Sequence, residues 1–450
     1  MKKIVSLLCL LTMVMSLFGT VAIADEKTKV VVWTNARHDY DYMTQKIDEF
    51  NATNTSNIEI VYEVYTDNYK QVAELGFDTG NGPDVFNTGA GVWDLALAGQ
   101  ALPLNDFMTD EDYAYFGGNK GIVESVNMFD GKILSLPMSI STVRLVYNKG
   151  IFAKAGIEKV PTTFAEVEAA AKQITEKLSG EGIYGFAINL KSPASALGRT
   201  LDYMMEANYG IRYGYNFKTG RYEFDKVSDI AAFLHQMFVD GSTFPGCDQL
   251  DIDPLRTQFA AGRIGMYYSY SAAEPGVYAS QFPTEEEWDF APLTTNGNPV
   301  GKQGVDAGKW WCINKDTKNP EAAWEVTKFL YSKDLLAGSY AAGLSISMLD
   351  DVINSVEAPA QVTEHPLMAK QDTDAIWPAG PKGLTLEGEN YYSVFAGYIL
   401  GIPGYEDLAK LCEDLNTRYN AALDKGLADG TATAAVYPNF DPMDPTGSMN

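Results

Sequence analysis

The chain has 450 residues, with 59 Asp and Glu against 34 Lys and Arg, and a formal net charge of −25. That excess of acid argues against nucleic acid or an anionic membrane surface as a partner, because phosphate recognition needs clustered cations. It also disfavours an anionic ligand unless one local pocket overrides the global field, and the length fits two or three domains.

The first residues read as an export signal. Lys2 and Lys3 precede an apolar run from Ile4 to Phe18, and Ala22-Ile23-Ala24 is an A-x-A cleavage site before Asp25. Ser6, Thr12 and Ser16 break the run, which falls short of the roughly 20 residues a membrane span needs. Residues 1–24 are therefore expected to be a signal peptide. The mature chain is expected to be exported, to the periplasm or the outer face of the cell membrane. Cys9 makes a poor lipoprotein signal, since Leu8 precedes it and it sits early in the apolar run, so no lipid anchor is expected. Cys247, Cys312 and Cys412 form no C-x-x-C pair and allow at most one disulfide. Cys312 and Cys412 fall in apolar patterns and read as small core residues.

Lys29-Val30-Val31-Val32-Trp33 has the continuous apolar character of a strand buried on both faces. Tyr40, Met43, Ile47 and Phe50 are spaced for a helix, and Ile58 to Val64 reads as the next strand. Strand, helix, strand implies a parallel α/β sheet. Gly80-Asn81-Gly82-Pro83 turns the chain into a short strand, Asp84-Val85-Phe86-Asn87. Gly89-Ala90-Gly91 then opens a loop before a helix over Val92 to Ala98, with Gly99 as its stop. In open α/β sheets ligands bind beyond the carboxyl ends of strands. That puts Asn35-Ala36-Arg37 and Gly89-Ala90-Gly91 at one mouth.

Further along, Thr163 and Glu166 form a capping box before a helix with Val167, Ala170, Ile174 and Leu178 on one stripe. Ile230 to Phe238 is a helix stopped by Gly241. Another closes at Phe259-Ala260-Ala261-Gly262 before the strand Ile264 to Tyr268. Asn319-Pro320 starts a helix with proline at its first position. Leu408, Leu411, Cys412, Leu415, Tyr419 and Leu423 give a long late helix. Neither G-x-S-x-G nor H-E-x-x-H occurs. Asp248, Asp251 and Asp253 lack the Gly and the terminal Glu of a calcium loop. His38, His235 and His365 have no ligand spacing, so neither metal nor cofactor is expected.

Several segments, in this order, resemble the extracellular solute-binding proteins of ABC importers, in particular the sugar-binding, maltose-binding-protein-like group. They are Gly82-Pro83-Asp84-Val85 with Leu102-Pro103-Leu104; Leu136-Pro137 with Leu145-Val146-Tyr147-Asn148-Lys149; Phe259-Ala260-Ala261-Gly262-Arg263; and Lys318-Asn319-Pro320-Glu321-Ala322-Ala323-Trp324. The resemblance spans about Lys29 to Tyr331 and rests on the ordered set, since no single piece is specific. It implies an α/β fold of the periplasmic-binding-protein kind (type II-like): two lobes joined by a hinge of crossing strands, with ligand held between them. The N-terminal lobe would take residues 25–141 plus about 286–332. The C-terminal lobe would take 142–285 plus about 333–450. Leu136 to Tyr147 would be one hinge strand, and Ser269 to Pro275 would lie near a second crossing.

A sugar offers apolar ring faces and hydroxyl edges, so its site needs aromatic platforms beside side chains that donate and accept hydrogen bonds. Trp33 ends the first strand, Asn35 and Arg37 follow it, and Trp93 opens the helix after Gly91. Arg37 presents a rigid fork of donors. Resemblance adds Ser139 and Ser141, where relatives place a polar ligand contact; some carry a carboxylate at the position of Ser141. It also adds Tyr268, Ser269 and Tyr270, which lead out of a strand toward the cleft. Strand alternation separates Trp310 from Trp311, and Trp310 is assigned to the cleft. Trp377 is a further candidate in a loop. The expectation is a monomeric, non-catalytic binding protein that captures a carbohydrate, an oligosaccharide in particular, and delivers it to ABC permease subunits. Two alternatives remain: the same fold binding a peptide, a polyamine or another small solute, and a secreted carbohydrate-active enzyme with two catalytic carboxylates.

Overall fold

The structure is a computed structural model that describes residues 26–37, 39–65, 68–118, 121–305 and 310–449. The expected signal peptide, Cys9 and His38 lie outside the described residues. The chain opens with β1 (Thr28–Thr34), α1 (Tyr40–Thr53) and β2 (Ile58–Val64). An unexpected helix, α2 (Tyr69–Thr79), follows before β3 (Val85–Asn87). Its buried face is Tyr69, Ala73 and Gly76. Two of those three are small, and small residues leave almost no hydrophobic period to read. The helix expected after Gly91 is one tight turn, Trp93–Leu95, that widens into a π turn over Ala96–Gln100. Gly99 there has φ +102°, a left-handed value that L side chains rarely adopt.

The chain then passes to a second body: β4 (Val143–Asn148), α3 (Phe164–Leu178), β5 (Tyr184–Phe186), α4 (Leu201–Tyr209), α5 (Ser228–Val239), β6 (Ile264–Tyr270) and β7 (Trp288–Ala291). It returns through β8 (Trp311–Ile313), α6 (Pro320–Leu330) and α7 (Lys333–Ala341), and finishes with α8 (Tyr391–Ile399) and α9 (Leu408–Asp429). The capping box of α3 is complete, with Thr163 Oγ1 accepting from Glu166 N (3.3 Å) and Glu166 Oε2 accepting from Thr163 N (3.2 Å). Asn319 makes no side-chain cap at α6, although Pro320 takes the first turn as expected.

Each body holds a four-stranded sheet. The first runs β8-β3-β1-β2, with β1 parallel to β2 and β3, and β8 antiparallel to β3. Both faces are covered, because successive side chains on a strand point to opposite sides. Val32, Val85, Trp311 and Ile313 enter one apolar cluster; Trp33, Phe86 and Cys312 enter another on the opposite face. The second sheet runs β7-β4-β6-β5 and sits in a single large cluster with α3, α5, α8 and α9. This is the two-lobed α/β architecture the resemblance implied. Cys247, Cys312 and Cys412 are all buried and free.

The boundaries between the bodies differ from those expected. β7, assigned by sequence to the return segment, pairs with β4 in the second sheet (Phe290 opposite Val146). Leu335, Leu336, Leu349 and Val352, assigned to the C-terminal lobe, pack in the first lobe's core. Ser269 to Pro275 lies beside the expected hinge segment, with Ser271 N donating to Thr142 O (2.7 Å). β6 lies between β4 and β5, and Glu274 beyond it is fully buried and held by Arg256. The crossing next to Leu136–Thr142 is the segment around Ser347. Ser139 bridges Ser347, and Ile140 N donates to Ile346 O (2.9 Å).

Candidate functional site

The order β8-β3-β1-β2 has a topological consequence. From β1 the chain moves to β2 on one side and then to β3 on the other, so the loops after β1 and β3 leave the sheet in opposite directions and open a crevice between them. A cavity of about 620 Å³ occupies that crevice. Its walls are Asn35, Ala36 and Arg37 after β1, Asn87 to Gly91 after β3, Ser139 to Ser141 from the crossing segment, and Trp93 and Trp310. Tyr69, buried in α2, ties the two strand ends together: its hydroxyl donates to Asn87 O (2.7 Å) and lies 3.1 Å from Trp33 O. Asn87 Oδ1 accepts from Gly89 N (2.6 Å). Gly89 is closely backed, since a Cβ there would lie 2.3 Å from Asn35 Oδ1. Thr88 N donates to Trp310 O (2.8 Å), which fixes Trp310 at the rim while Trp311 turns into the core.

Trp93 also borders a second cavity, of about 230 Å³, whose other walls come largely from the second lobe: Arg212, Tyr213, Ile376, Trp377 and Ala379 to Lys382. The two cavities therefore meet at Trp93, and Lys382 Nζ lies 6.0 Å from its ring centre. Arg212 is positioned from beneath. Its Nη1 reaches Glu206 Oε1 (2.5 Å), and its guanidinium stacks 4.9 Å over the Tyr213 ring. Burial pushes the Glu206 carboxyl up to about 7, against the pull of Arg212 and of the Gly304 amide. Trp377 Nε1 donates to Lys302 O (2.9 Å).

Of the residues singled out by sequence, the structure brings together Asn35, Arg37, Trp93, Ser139, Ser141 and Trp310 around the larger cavity, and Trp377 on the adjoining one. Four others lie elsewhere. Trp33 is core: it packs edge-on to Tyr65 at 5.0 Å and lies so close to Gly76 that a Cβ there would be 2.8 Å from its ring. A strand-end tryptophan is drawn inward here because helices cover both faces of the sheet. Tyr268 is buried and donates to Thr294 Oγ1 (2.6 Å). Ser269 is fully buried and donates to Glu274. Tyr270 packs against Tyr203, with Arg199 stacked 4.9 Å above its ring. The central position of β6 leaves none of these three side chains on the cavities. Sequence reasoning missed Asn87, Arg212, Tyr213 and Lys382. Asn87 could have been found as the last residue of β3. The others come from second-lobe loops whose approach to Trp93 is set only by packing.

No metal-binding group of three or more His, Cys, Asp or Glu side chains exists among the described residues, and no described helix is long and apolar enough to cross a membrane. Asp251 and Asp253, from the acidic loop, pair with Lys191 (2.6 Å) and Arg256 (3.0 Å).

A two-lobed α/β fold with a crevice at the strand switch point defines a class of binding proteins. Residues 36–335 match the family model for bacterial extracellular solute-binding proteins, and the chain belongs to that family. Among solved structures, the apo form of RafE from Streptococcus pneumoniae has a TM-score of 0.66, covering 88% of this chain and 98% of that one at 17% identity. The cyclic alpha-maltosyl-1,6-maltose binding protein from Arthrobacter globiformis also reaches 0.66, over 89% and 100%, at 18% identity. These likenesses establish the fold. A binding protein of Brucella abortus (strain 2308) is 28% identical over 248 residues, 54% of this chain and 56% of that protein. The sn-glycerol-3-phosphate-binding periplasmic protein UgpB of the same strain is 36% identical over 148 residues, 31% of this chain and 33% of that one. The chain thus spans about half the length of the first relative and a third of the second. The family is one of binding proteins rather than catalysts.

Proposed function

We propose that this protein is the exported substrate-binding component of an ABC importer, and that it captures a carbohydrate, an oligosaccharide in particular, between its lobes and delivers it to membrane permease subunits. The observation that carries the reading is the pair of adjoining cavities at the strand switch point. Trp93 and Trp310 stand on the first-lobe side and Tyr213 on the second, with Asn35, Ser139 and Ser141 between them. Aromatic faces beside side chains that both donate and accept suit a sugar ring and its hydroxyls. RafE, whose fold this chain shares, is a protein solved in complex with raffinose. Relatives named for sn-glycerol-3-phosphate match too little of the chain to carry their ligand over.

In this reading the ligand touches both walls only when the lobes approach, so binding shifts the molecule toward a closed form that docks on the permease. The first lobe takes β1 to about Met138 together with Trp310 to about Val352; the remainder forms the second. The protein works as a monomer, loses residues 1–24 on export, carries no lipid anchor and catalyses nothing. Titration calorimetry against a broad panel of oligosaccharides tests the reading: at least one should bind in the micromolar range or tighter and remain uncleaved. No heat with any member, or release of reducing sugar, would overturn it.

A further inference from the structure

The larger cavity departs from the chain that builds it. Acid outnumbers base 59 to 34 over the sequence, yet the described residues lining this cavity include no Asp or Glu and a single charge, Arg37. Arg37 is exposed and forms no ion pair among the described residues. A second observation is independent of it. Asn87 is fully buried in the cavity wall, and its Oδ1 is taken by the Gly89 amide, which identifies the other terminal atom as Nδ2. That Nδ2 has no acceptor among the described residues. A buried donor left unpaired is costly, and one that lines a cavity points to an acceptor arriving from the cavity.

A sugar hydroxyl both accepts and donates, and Asn35, Ser139 and Ser141 can meet it, which leaves the Arg37 fork and the Asn87 amide as donors without an acceptor among the described residues. An oxyanion only accepts, and its match is a guanidinium fork with neutral N–H groups beside it. We infer that the captured solute carries an oxyanion, a carboxylate or a phosphate ester, on its polyhydroxylated body, and that Arg37 and the Asn87 amide receive it. The inference rests on the carbohydrate reading of the cleft. The global charge does not oppose it strongly, because exposed charges are screened beyond about 10 Å at 0.1 M salt. Among the described residues, the carboxylates of the neighbouring hollows are not on this cavity's wall. Asp94, on the adjoining cavity, is 3.7 Å from Lys70. Asp39 and Asp41 line a second hollow, which shares Arg37 with this cavity. On the second-lobe side Lys382 adds positive charge, and Arg212 stands there paired with Glu206.

The test is titration calorimetry of the full mature chain with matched pairs: a neutral oligosaccharide against the same oligomer bearing a uronate, and a neutral sugar or polyol against its phosphate monoester. In at least one pair the anionic member should bind about ten- to a hundredfold tighter. The preference should shrink at high ionic strength and collapse in both Arg37→Gln and Asn87→Asp, the latter keeping the bond to Gly89 while turning the donor into an acceptor. Which pair responds distinguishes carboxylate from phosphate. Thermal unfolding of each variant controls for folding, and Arg37→Gln, at an exposed position, should unfold as wild type does. Neutral members binding as tightly as anionic ones would overturn this inference and leave the carbohydrate reading intact. A preference that survives both substitutions would overturn the assignment of these residues. Absence of binding by every member of both pairs would remove the carbohydrate reading and this inference with it.

Discussion

The two lobes solve the problem of a polar interior differently. In the first, neutral amides do it. Asn51 exchanges hydrogen bonds with both Ile60 N (2.7 Å) and Ile60 O (3.0 Å), Asn54 does the same at Ile58, and Asn314 reaches Pro83 O (2.8 Å). Its ion pairs among the described residues, such as Lys29–Glu59 and Lys46–Glu49, lie at the surface. In the second lobe buried charges do it. Arg144 on β4 is paired twice with Asp374, at 3.1 and 2.6 Å. Arg256 is paired with Glu274, which also accepts from Tyr267 (2.8 Å) and Ser269. Amides cost little to bury once bonded, whereas an ion repays its desolvation only if every bond is made. The first lobe can therefore present its loops as a binding surface with an unpaired donor at Asn87. The second lobe spends its charges inside its own core, including the base of Arg212.

The largest effect should come from breaking a second-lobe network. Glu274→Ala strands Arg256 and two hydroxyls in the core and should cost about 3–5 kcal/mol in chemical denaturation. A first-lobe amide change such as Asn51→Ala should cost only about 1 kcal/mol by the same measurement. Equal costs would end the contrast drawn here.

Next in size is the binding wall. Trp93→Ala and Trp310→Ala should each weaken ligand about thirtyfold in calorimetry, as truncation of an aromatic anchor does. Tyr268→Phe should leave affinity unchanged and cost about 1 kcal/mol of stability through the lost bond to Thr294. Loss of affinity in that variant would return Tyr268 to the cleft.

Acid titration sharpens the comparison further. Asp202, on α4, accepts from Tyr391 (2.7 Å) and Tyr392 (2.6 Å), and burial pushes its carboxyl up to about 6. Between the ordinary carboxylate value and 6 the folded state holds more protons than the unfolded one, so this group's contribution falls as pH rises through that window. Stability should therefore be greater at pH 5 than at pH 7.5, by about 1–3 kcal/mol from this residue. Asp202→Asn should remove that part of the slope, and a variant with the wild-type slope would show that Asp202 stays ionised.

The smallest effect concerns the backbone. Gly89→Ala should fold normally apart from a loss of about 1 kcal/mol, yet weaken ligand several-fold, because the added Cβ displaces Asn35.

Much of the first lobe's wall was legible in sequence, and for a definite reason. A parallel strand announces itself by continuous apolar residues, and its carboxyl end then fixes where the following loop must open. Asn35, Arg37 and the Gly89–Gly91 loop could thus be placed at one mouth before any coordinates. Trp310 and Trp311 were separable by strand alternation alone. Tyr268, Ser269 and Tyr270 were misplaced because their pattern, alternating polar and aromatic residues at a strand end, is the same whether the strand is central or at the edge. Only pairing of β6 with both β4 and β5 decided that.

What the sequence determined by itself was local: the acid excess, the two-lobed α/β class through its ordered segments, the capping box of α3, and the strand ends that carry the binding loops. Tertiary structure decided what depends on contacts distant in the chain. It brought Arg212, Tyr213 and Lys382 to Trp93, turned Trp33 into the core, and left, among the described residues, a cavity wall without a carboxylate and with an unpaired amide in an acidic protein. Hydrophobic period and turn chemistry act over a few residues and can be read along the chain. The partners of a buried charge or an orphan donor are chosen by packing, which no stretch of sequence states.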